Sequence, residues 1–278
     1  MEETVLVDGI NVYYEVEGKG EDLLLIHGMG MSGEIWKETI KAASRFFRVI
    51  ALDLPGFGSS DKPDAKYGIP YYVEYIKKFM DALEIEEAYV AGVSFGGYVA
   101  ASFASKYPEN VIKLVLTSPM GLTPMPAGVK GVPFSDGVLN VTYWLLSKNK
   151  NLFKSFGQDS FYDKSFITDK MIDEQWSMMK DPRYRKALQK NARYLSRLHP
   201  EYVDTLKAIV SPTLIIWGKE DRIMPVSDAQ RYRGYIQGSR LVMLDRCGHM
   251  APIEKKEDYN KALLTFLGEV DIYYQEEA

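Results

Sequence analysis

Ala88-Tyr89-Val90-Ala91-Gly92-Val93-Ser94-Phe95-Gly96-Gly97 leads from a short apolar run into a helix-forming stretch and places Ser94 inside Gly-x-Ser-x-Gly. A serine hydroxyl that projects from a sharp strand-to-helix turn is placed to attack carbonyl carbon. There a base can take its proton and backbone N–H groups can meet the new oxyanion. Gly92 and Gly96 leave room for such a turn, because neither carries a side chain that would collide with a strained serine backbone. Beyond it, Gly97, Ala100, Ala101 and Ala104 offer a small-residue face for close helix-on-sheet packing. Gly-x-Ser-x-Gly also occurs in ordinary glycine-rich loops; the strand before it and the helix after it separate a nucleophile from a loop serine.

Outward from this turn, apolar runs recur at residues 23–26, 49–52, 89–93, 114–116, 213–217 and 240–244, with helix-like or longer segments between them. Such alternation specifies a parallel sheet with crossover helices, and the loops leaving its strands gather along one edge. Ahead of these runs, residues 4–7, the Asp8-Gly9 turn and residues 11–16 read as an edge hairpin.

Two strand exits carry chemistry. Residues 213–217 run into Gly218-Lys219-Glu220-Asp221-Arg222, which sets adjacent carboxylates at a strand end. Side chains alternate in an extended exit, so only one of Glu220 and Asp221 easily faces the serine, and Asp221 is preferred. Residues 240–244 lead into Asp245-Arg246-Cys247-Gly248-His249-Met250-Ala251-Pro252-Ile253-Glu254, which presents His249 on a loop before the final helix. The chain has only 3 histidines, so each can be weighed. His199, beside Pro200 in a charged stretch, reads as a surface or helix-end residue. His27 closes the run 23–26 and opens His27-Gly28-Met29-Gly30. A neutral imidazole donates from one nitrogen and accepts on the other, so His27 can pin loop carbonyls without handling reaction protons. His249 remains as the candidate base.

Four signals stand in order: His27-Gly28-Met29-Gly30, Asp53-Leu54-Pro55-Gly56-Phe57-Gly58-Ser59-Ser60, Gly92-Val93-Ser94-Phe95-Gly96, and the Asp221 and His249 loops with Pro252 and Glu254 behind the histidine. Together they resemble the α/β-hydrolase superfamily over nearly the whole chain, in particular its capped serine hydrolases, the carboxylesterases and carbon–carbon bond hydrolases. The resemblance implies an α/β fold, with a mostly parallel central sheet flanked by helices and an inserted helical cap. It also implies a Ser94, His249, Asp221 triad, with an oxyanion hole made by the N–H groups of Phe95 and Met29. Each such donor is typically worth about 3 kcal/mol of transition-state stabilisation. Asp53 is expected to bond loop amides rather than take part in catalysis. Cys247 is read as a small buried filler, since a cysteine so near the histidine in one loop rarely shares its target and Ser94 already holds the turn.

The resemblance divides the chain into a core, residues 1–121 and 206–278, and a cap, residues 122–205, lying over Ser94. The cap opens with Pro124, Pro126 and Pro133 among glycines. Residues 138–148, 169–180 and 183–197 then read as helices, with Asp181-Pro182 as a break. Met125, Phe134, Trp144, Leu145, Met178 and Met179 are candidate pocket residues, because flexible methionines and flat aromatics suit a tolerant apolar pocket.

At 278 residues with 46% hydrophobic and 13% aromatic content, the chain can bury a large core. A net charge of -4, with basic and acidic residues interspersed, gives no general attraction to nucleic acid. No stretch approaches the roughly 20 apolar residues of a membrane span, and Met1-Glu2-Glu3-Thr4 lacks signal-peptide character, so a cytoplasmic protein is expected. Three separated histidines and a lone cysteine give no zinc spacing, and no cofactor is expected. The expected activity is hydrolysis of small or medium apolar carboxylic esters through an acyl-enzyme, and the partner is that small molecule, with a homodimer as a further expectation. A carbon–carbon bond hydrolase of vinylogous diketones or a lactonase is the alternative. A cofactor-free perhydrolase or a non-catalytic ligand receptor ranks below both.

Overall fold

Residues 23–26 are apolar at every position, a pattern suited to a strand covered on both faces. In the computed structural model, which describes residues 1–123, 136–197 and 199–268, all four side chains are fully buried. The chain opens with an antiparallel hairpin, β1 (Glu2–Val7) and β2 (Ile10–Glu17), turning through Asp8 and Gly9 at φ of 50° and 75°. Strands and helices then alternate: β3 (Asp22–Ile26), α1 (Lys37–Ala43), β4 (Arg48–Leu52), α2 (Ile69–Ala82), β5 (Ala88–Val93), α3 (Phe95–Lys106) and β6 (Val111–Thr117). Five helices follow, α4 (Asp136–Lys148), α5 (Lys150–Gly157), α6 (Asp169–Met178), α7 (Pro182–Leu195) and α8 (Tyr202–Lys207). The chain returns through β7 (Thr213–Gly218), α9 (Ser227–Tyr235), β8 (Arg240–Leu244), α10 (Ala251–Glu254) and α11 (Lys256–Gly268).

The strands form one sheet of 8 in the order β1-β2-β4-β3-β5-β6-β7-β8, antiparallel at the β1, β2 edge and parallel from β4 onward. Alternate residues of each buried strand feed opposite cores. Leu24, Ile26, Val90, Leu116 and Trp217 pack with the α2 and α3 side, whereas Leu23, Leu25, Ala91, Val93 and Ile216 pack with the α1 and α11 side. Each fully buried leucine or isoleucine contributes roughly 1.5–3 kcal/mol relative to exposure. From β3 the chain crosses to β4 on one flank, then to β5 on the other. The sheet therefore reverses its winding between β3 and β5, where the exits of adjacent strands leave a crevice for a ligand. His27 follows β3 and Ser94 follows β5.

Helices α4, α6 and α7 occupy the stretches read as helical from the sequence. Helix α5 adds to the helices expected from the sequence. It is short and follows α4 after Asn149, whose side chain accepts the Leu152 N–H and starts a new helix. Thr168 and Asp181 cap α6 and α7 in the same way. Trp176 Nε1 donates to the Leu146 carbonyl at 2.9 Å and ties α6 to α4. Helix α8, cut by the expected cap boundary at residue 205, packs with the sheet layer: Tyr202 lies 4.1 Å from the Tyr98 ring and bonds the Tyr232 hydroxyl at 3.0 Å.

Candidate active site

At the end of β5 the backbone turns through Ser94 at φ 56° and ψ -117°, a conformation costing on the order of 1–3 kcal/mol. Its own hydrogen bonds hold it there. Ser94 N–H donates to the Thr117 carbonyl at 2.9 Å, and the Ser94 carbonyl accepts from Met120 at 3.0 Å and Tyr98 at 3.1 Å. Only glycine fits on either side: a Cβ on Gly92 would stand 2.3 Å from the Gly96 carbonyl oxygen, and one on Gly96 2.3 Å from that of Ile26. Ser94 is 7% exposed, and Phe95 begins α3, so its N–H has no partner within the helix and stands at the positive end of the helix dipole.

At the β7 and β8 exits it is Asp221, and not Glu220, that faces His249. His249 Nδ1 lies 2.8 Å from Asp221 Oδ2, with side chains 3% and 0% exposed. Asp221 Oδ1 accepts the N–H groups of Ile223 and Met224 at 2.8 and 2.9 Å. Burial opposes charge on Asp221, but the His249 charge, its hydrogen bond and these two amides outweigh burial and hold the carboxyl below its usual range. An ionised carboxylate only accepts, so Nδ1 carries a proton, and in the neutral ring Nε2 presents its lone pair. Nε2 is buried and, among the described residues, has no hydrogen-bond partner, Ser94 Oγ included. Glu220, the other carboxylate, accepts the Cys247 N–H at 2.8 Å and braces the histidine loop instead.

Two supports hold this loop, and the sequence signals only one of them, Glu254. The Ser160 carbonyl, between α5 and α6, accepts the N–H groups of His249 and Met250 at 2.9 and 3.2 Å. Glu254 accepts from Gly248 and from Asp163, both at 2.6 Å, and so clamps the loop to the inserted segment. Glu254 was legible as a residue following the histidine, but no pattern in residues 150–168 announces a carbonyl. Cys247 is fully buried and its thiol is pushed up to about 12 by burial, which leaves it protonated and unreactive.

The β3 exit lies against the serine. A Cβ on Gly28 would stand 3.5 Å from Ser94 Cβ, and His27 Nδ1 bonds the Gly28 carbonyl at 2.7 Å while Nε2 accepts from Leu54 N–H at 2.9 Å. Burial lowers the His27 pKa against the opposing pull of Asp53, so the ring is neutral and its tautomer is fixed as Nδ1–H donor. Asp53 accepts from Gly33 and Ser59 at 2.6 and 2.7 Å, an architectural bracket for the loops on either side. His199 stacks on Tyr194 at 4.3 Å and bonds Glu201, at the end of α7.

Between the core loops and the inserted helices lies a cavity of about 190 Å³, whose lining includes Met29, Tyr143, Met179, Tyr184, Leu188 and Met250. Met29 is half-buried there and Met179 is 2% exposed. Met178 is half-buried along a neighbouring groove with Glu34 and Glu38. Trp144 and Leu145, expected in the pocket, are instead 52% and 44% exposed. The helical period explains the correction: Leu139, Tyr143 and Leu146 form the inward stripe of α4, and the two residues between the last of these lie on its outer arc. Met125 and Phe134 lie outside the described residues. Among the described residues no group of acidic, histidine or cysteine side chains could hold a metal ion, and no helix is long and apolar enough to cross a membrane.

A family model described as alpha/beta hydrolase fold matches residues 23–256. A 2-hydroxy-6-oxo-6-phenylhexa-2,4-dienoate hydrolase of Comamonas testosteroni is 29% identical over 268 residues, covering 92% of this chain and 91% of its own. A 2-hydroxy-6-oxononadienedioate/2-hydroxy-6-oxononatrienedioate hydrolase of Paraburkholderia phymatum is 32% identical over 279 residues, covering 94% and 92%. Among solved structures, a meta-cleavage product hydrolase of Pseudomonas fluorescens IP01 is similar with a TM-score of 0.81 at 28% identity, covering 96% of this chain and 97% of that one.

Proposed function

The chain belongs to the α/β-hydrolase fold family, and on that premise we propose that it is a serine hydrolase in which Ser94 is the nucleophile, His249 the general base and Asp221 the carboxylate that orients it. The buried 2.8 Å pair of Asp221 and His249, with Nε2 left as an unpartnered acceptor, carries this reading. Proton transfer needs Nε2 within hydrogen-bond reach of Ser94 Oγ, a contact that tightens as substrate is bound. Nε2 takes the Oγ proton while Oγ bonds to the carbonyl carbon, and the carbonyl π pair moves onto oxygen to meet the Phe95 and Met29 amides. The C=O then re-forms, the breaking bond's electron pair leaves with the departing group, and the imidazolium returns its proton to that group. Water repeats the sequence, releasing the acid and restoring Ser94. The inserted helices serve as a lid over the cavity.

For the bond broken, the reading best supported is a carbon–carbon bond of a vinylogous diketone, in place of the carboxylic ester favoured from the sequence. Its support is the named activity of relatives aligned over 92% and 94% of this chain. In such a substrate the departing carbanion is delocalised onto the second carbonyl, so cleavage needs no oxygen leaving group. One observation favours ester hydrolysis as a second reading: among the described residues lining the cavity there is no lysine or arginine to meet a dienoate carboxylate. A panel of a 2-hydroxy-6-oxodienoate, nitrophenyl esters of increasing length and a lactone, with Ser94→Ala as blank, tests both. Dienoate turnover with kcat/KM above that of every ester supports carbon–carbon cleavage, and turnover of esters alone reverses the order. Wild-type rates in folded Ser94→Ala remove the nucleophile.

A further inference from the structure

The loop that would supply the second oxyanion donor is anchored from both sides of the cavity. On the core side, His27 Nδ1 holds the Gly28 carbonyl at 2.7 Å. In a trans peptide the C=O and the following N–H point in opposite directions, so this bond aims the Met29 N–H away from His27. On the other side, the hydroxyl of Tyr184, on the inserted helix α7, donates to the Gly30 carbonyl at 2.6 Å. Gly30 sits at φ 75°, and the N–H of the same peptide, that of Met31, donates to the Gly28 carbonyl at 3.2 Å, so the peptide that Tyr184 holds is tied in turn to the peptide that carries the Met29 N–H. A Cβ there would stand 3.2 Å from Leu188 and 3.3 Å from the Tyr184 hydroxyl, so α7 bears directly on this turn. Tyr184 is 2% exposed, and burial raises its phenol pKa well beyond the working range, which keeps it a donor.

We propose that Tyr184 is a positioning residue: by fixing the Gly30 carbonyl through its own hydroxyl it keeps the Met29 N–H in register with the oxyanion. The proposal rests on the assignment of Ser94 as nucleophile. Helix α7 has other attachments, from Lys186 and Lys190 to Asp64 and from Asn191 to the Tyr72 hydroxyl at 2.9 Å, which hold the helix without touching the loop.

Tyr184→Phe removes one oxygen and keeps the edge-on ring contact with Phe57 at 5.9 Å, so the variant retains the packing. Removing an oxyanion donor outright costs about 100- to 1000-fold in kcat. Loosening one is expected to cost about tenfold, with KM changed less than about twofold. A trifluoromethyl ketone, whose adduct with Ser94 carries an oxyanion, should lose affinity by a similar factor. The released leaving-group product, which places no oxygen against these amides, should bind the variant as it binds wild type. Asp64→Ala, which frees the two surface lysines, should leave kcat unchanged. An unaltered kcat in Tyr184→Phe, a change in KM alone, or an equal loss in Asp64→Ala would each overturn the proposal. Turnover by Ser94→Ala would instead remove the nucleophile assignment beneath it, so the two failures are distinguishable.

Discussion

Asp221→Asn isolates the role of one proton. In the wild-type chain Oδ1 accepts the Ile223 and Met224 amides at 2.8 and 2.9 Å, and Oδ2 faces His249 Nδ1 at 2.8 Å. Asparagine is nearly the same shape, but only its carbonyl oxygen can meet two N–H donors, so its NH₂ must turn toward His249. Two donors cannot share that bond. The imidazole then presents its Nδ1 lone pair, and its proton moves to Nε2, where the mechanism needs an acceptor. In serine triads this change of tautomer costs about 10⁴ in kcat, equivalent to about 5.4 kcal/mol at 1.36 kcal/mol per tenfold. The loop keeps its two backbone bonds, so the stability loss is limited to one charge-assisted hydrogen bond, about 1.5–3 kcal/mol. Steady-state kinetics on the best substrate of the panel, beside thermal unfolding, separates the two effects. A folded Asp221→Asn enzyme with kcat within about tenfold of wild type would refute the assignment of base and tautomer.

Gly96→Ala drives a methyl group to 2.3 Å from the Ile26 carbonyl and 2.5 Å from that of His27, both backbone atoms, so a destabilisation of at least about 1–3 kcal/mol and lost activity are expected in thermal melts and rate assays. Cys247, buried and protonated, should resist an aromatic disulfide reagent in the native chain and react fully in denaturant; rapid native labelling would place the thiol elsewhere. Because the Asp221 carboxyl is held low in the fold, its contribution is fully present above the unfolded value of about 3.9 and is lost as pH falls through the lower folded value. Below about pH 4 the wild-type melting temperature should therefore fall more steeply than that of Asp221→Asn, and parallel acid limbs would contradict this linkage.

The sheet was readable because its information is local. Runs such as 23–26 are apolar throughout, and only a strand with cover on both faces buries them all. The serine turn was readable for a similar reason, since Gly92 and Gly96 mark places where a side chain would meet backbone within a few ångströms. Helix phase is less legible: the sequence marks α4 as a helix, yet the hydrophobic character of Trp144 and Leu145 does not give their orientation, and both face outward. Counting from Leu139 by helical period would have chosen Tyr143 and Leu146.

Steric and periodic constraints act between near neighbours, so the residue order alone specified the alternating strands and helices, the glycine-flanked serine and the pair of loops holding an acid and a histidine. The remaining decisions belong to contacts between distant segments. That Asp221 rather than Glu220 meets His249, that Ser160 and Glu254 brace the histidine loop, and that Tyr184 reaches the Gly30 carbonyl all depend on how separated elements pack. A hydrogen bond is directional to a few tenths of an ångström, whereas a sequence constrains the relative placement of remote side chains only through the whole fold.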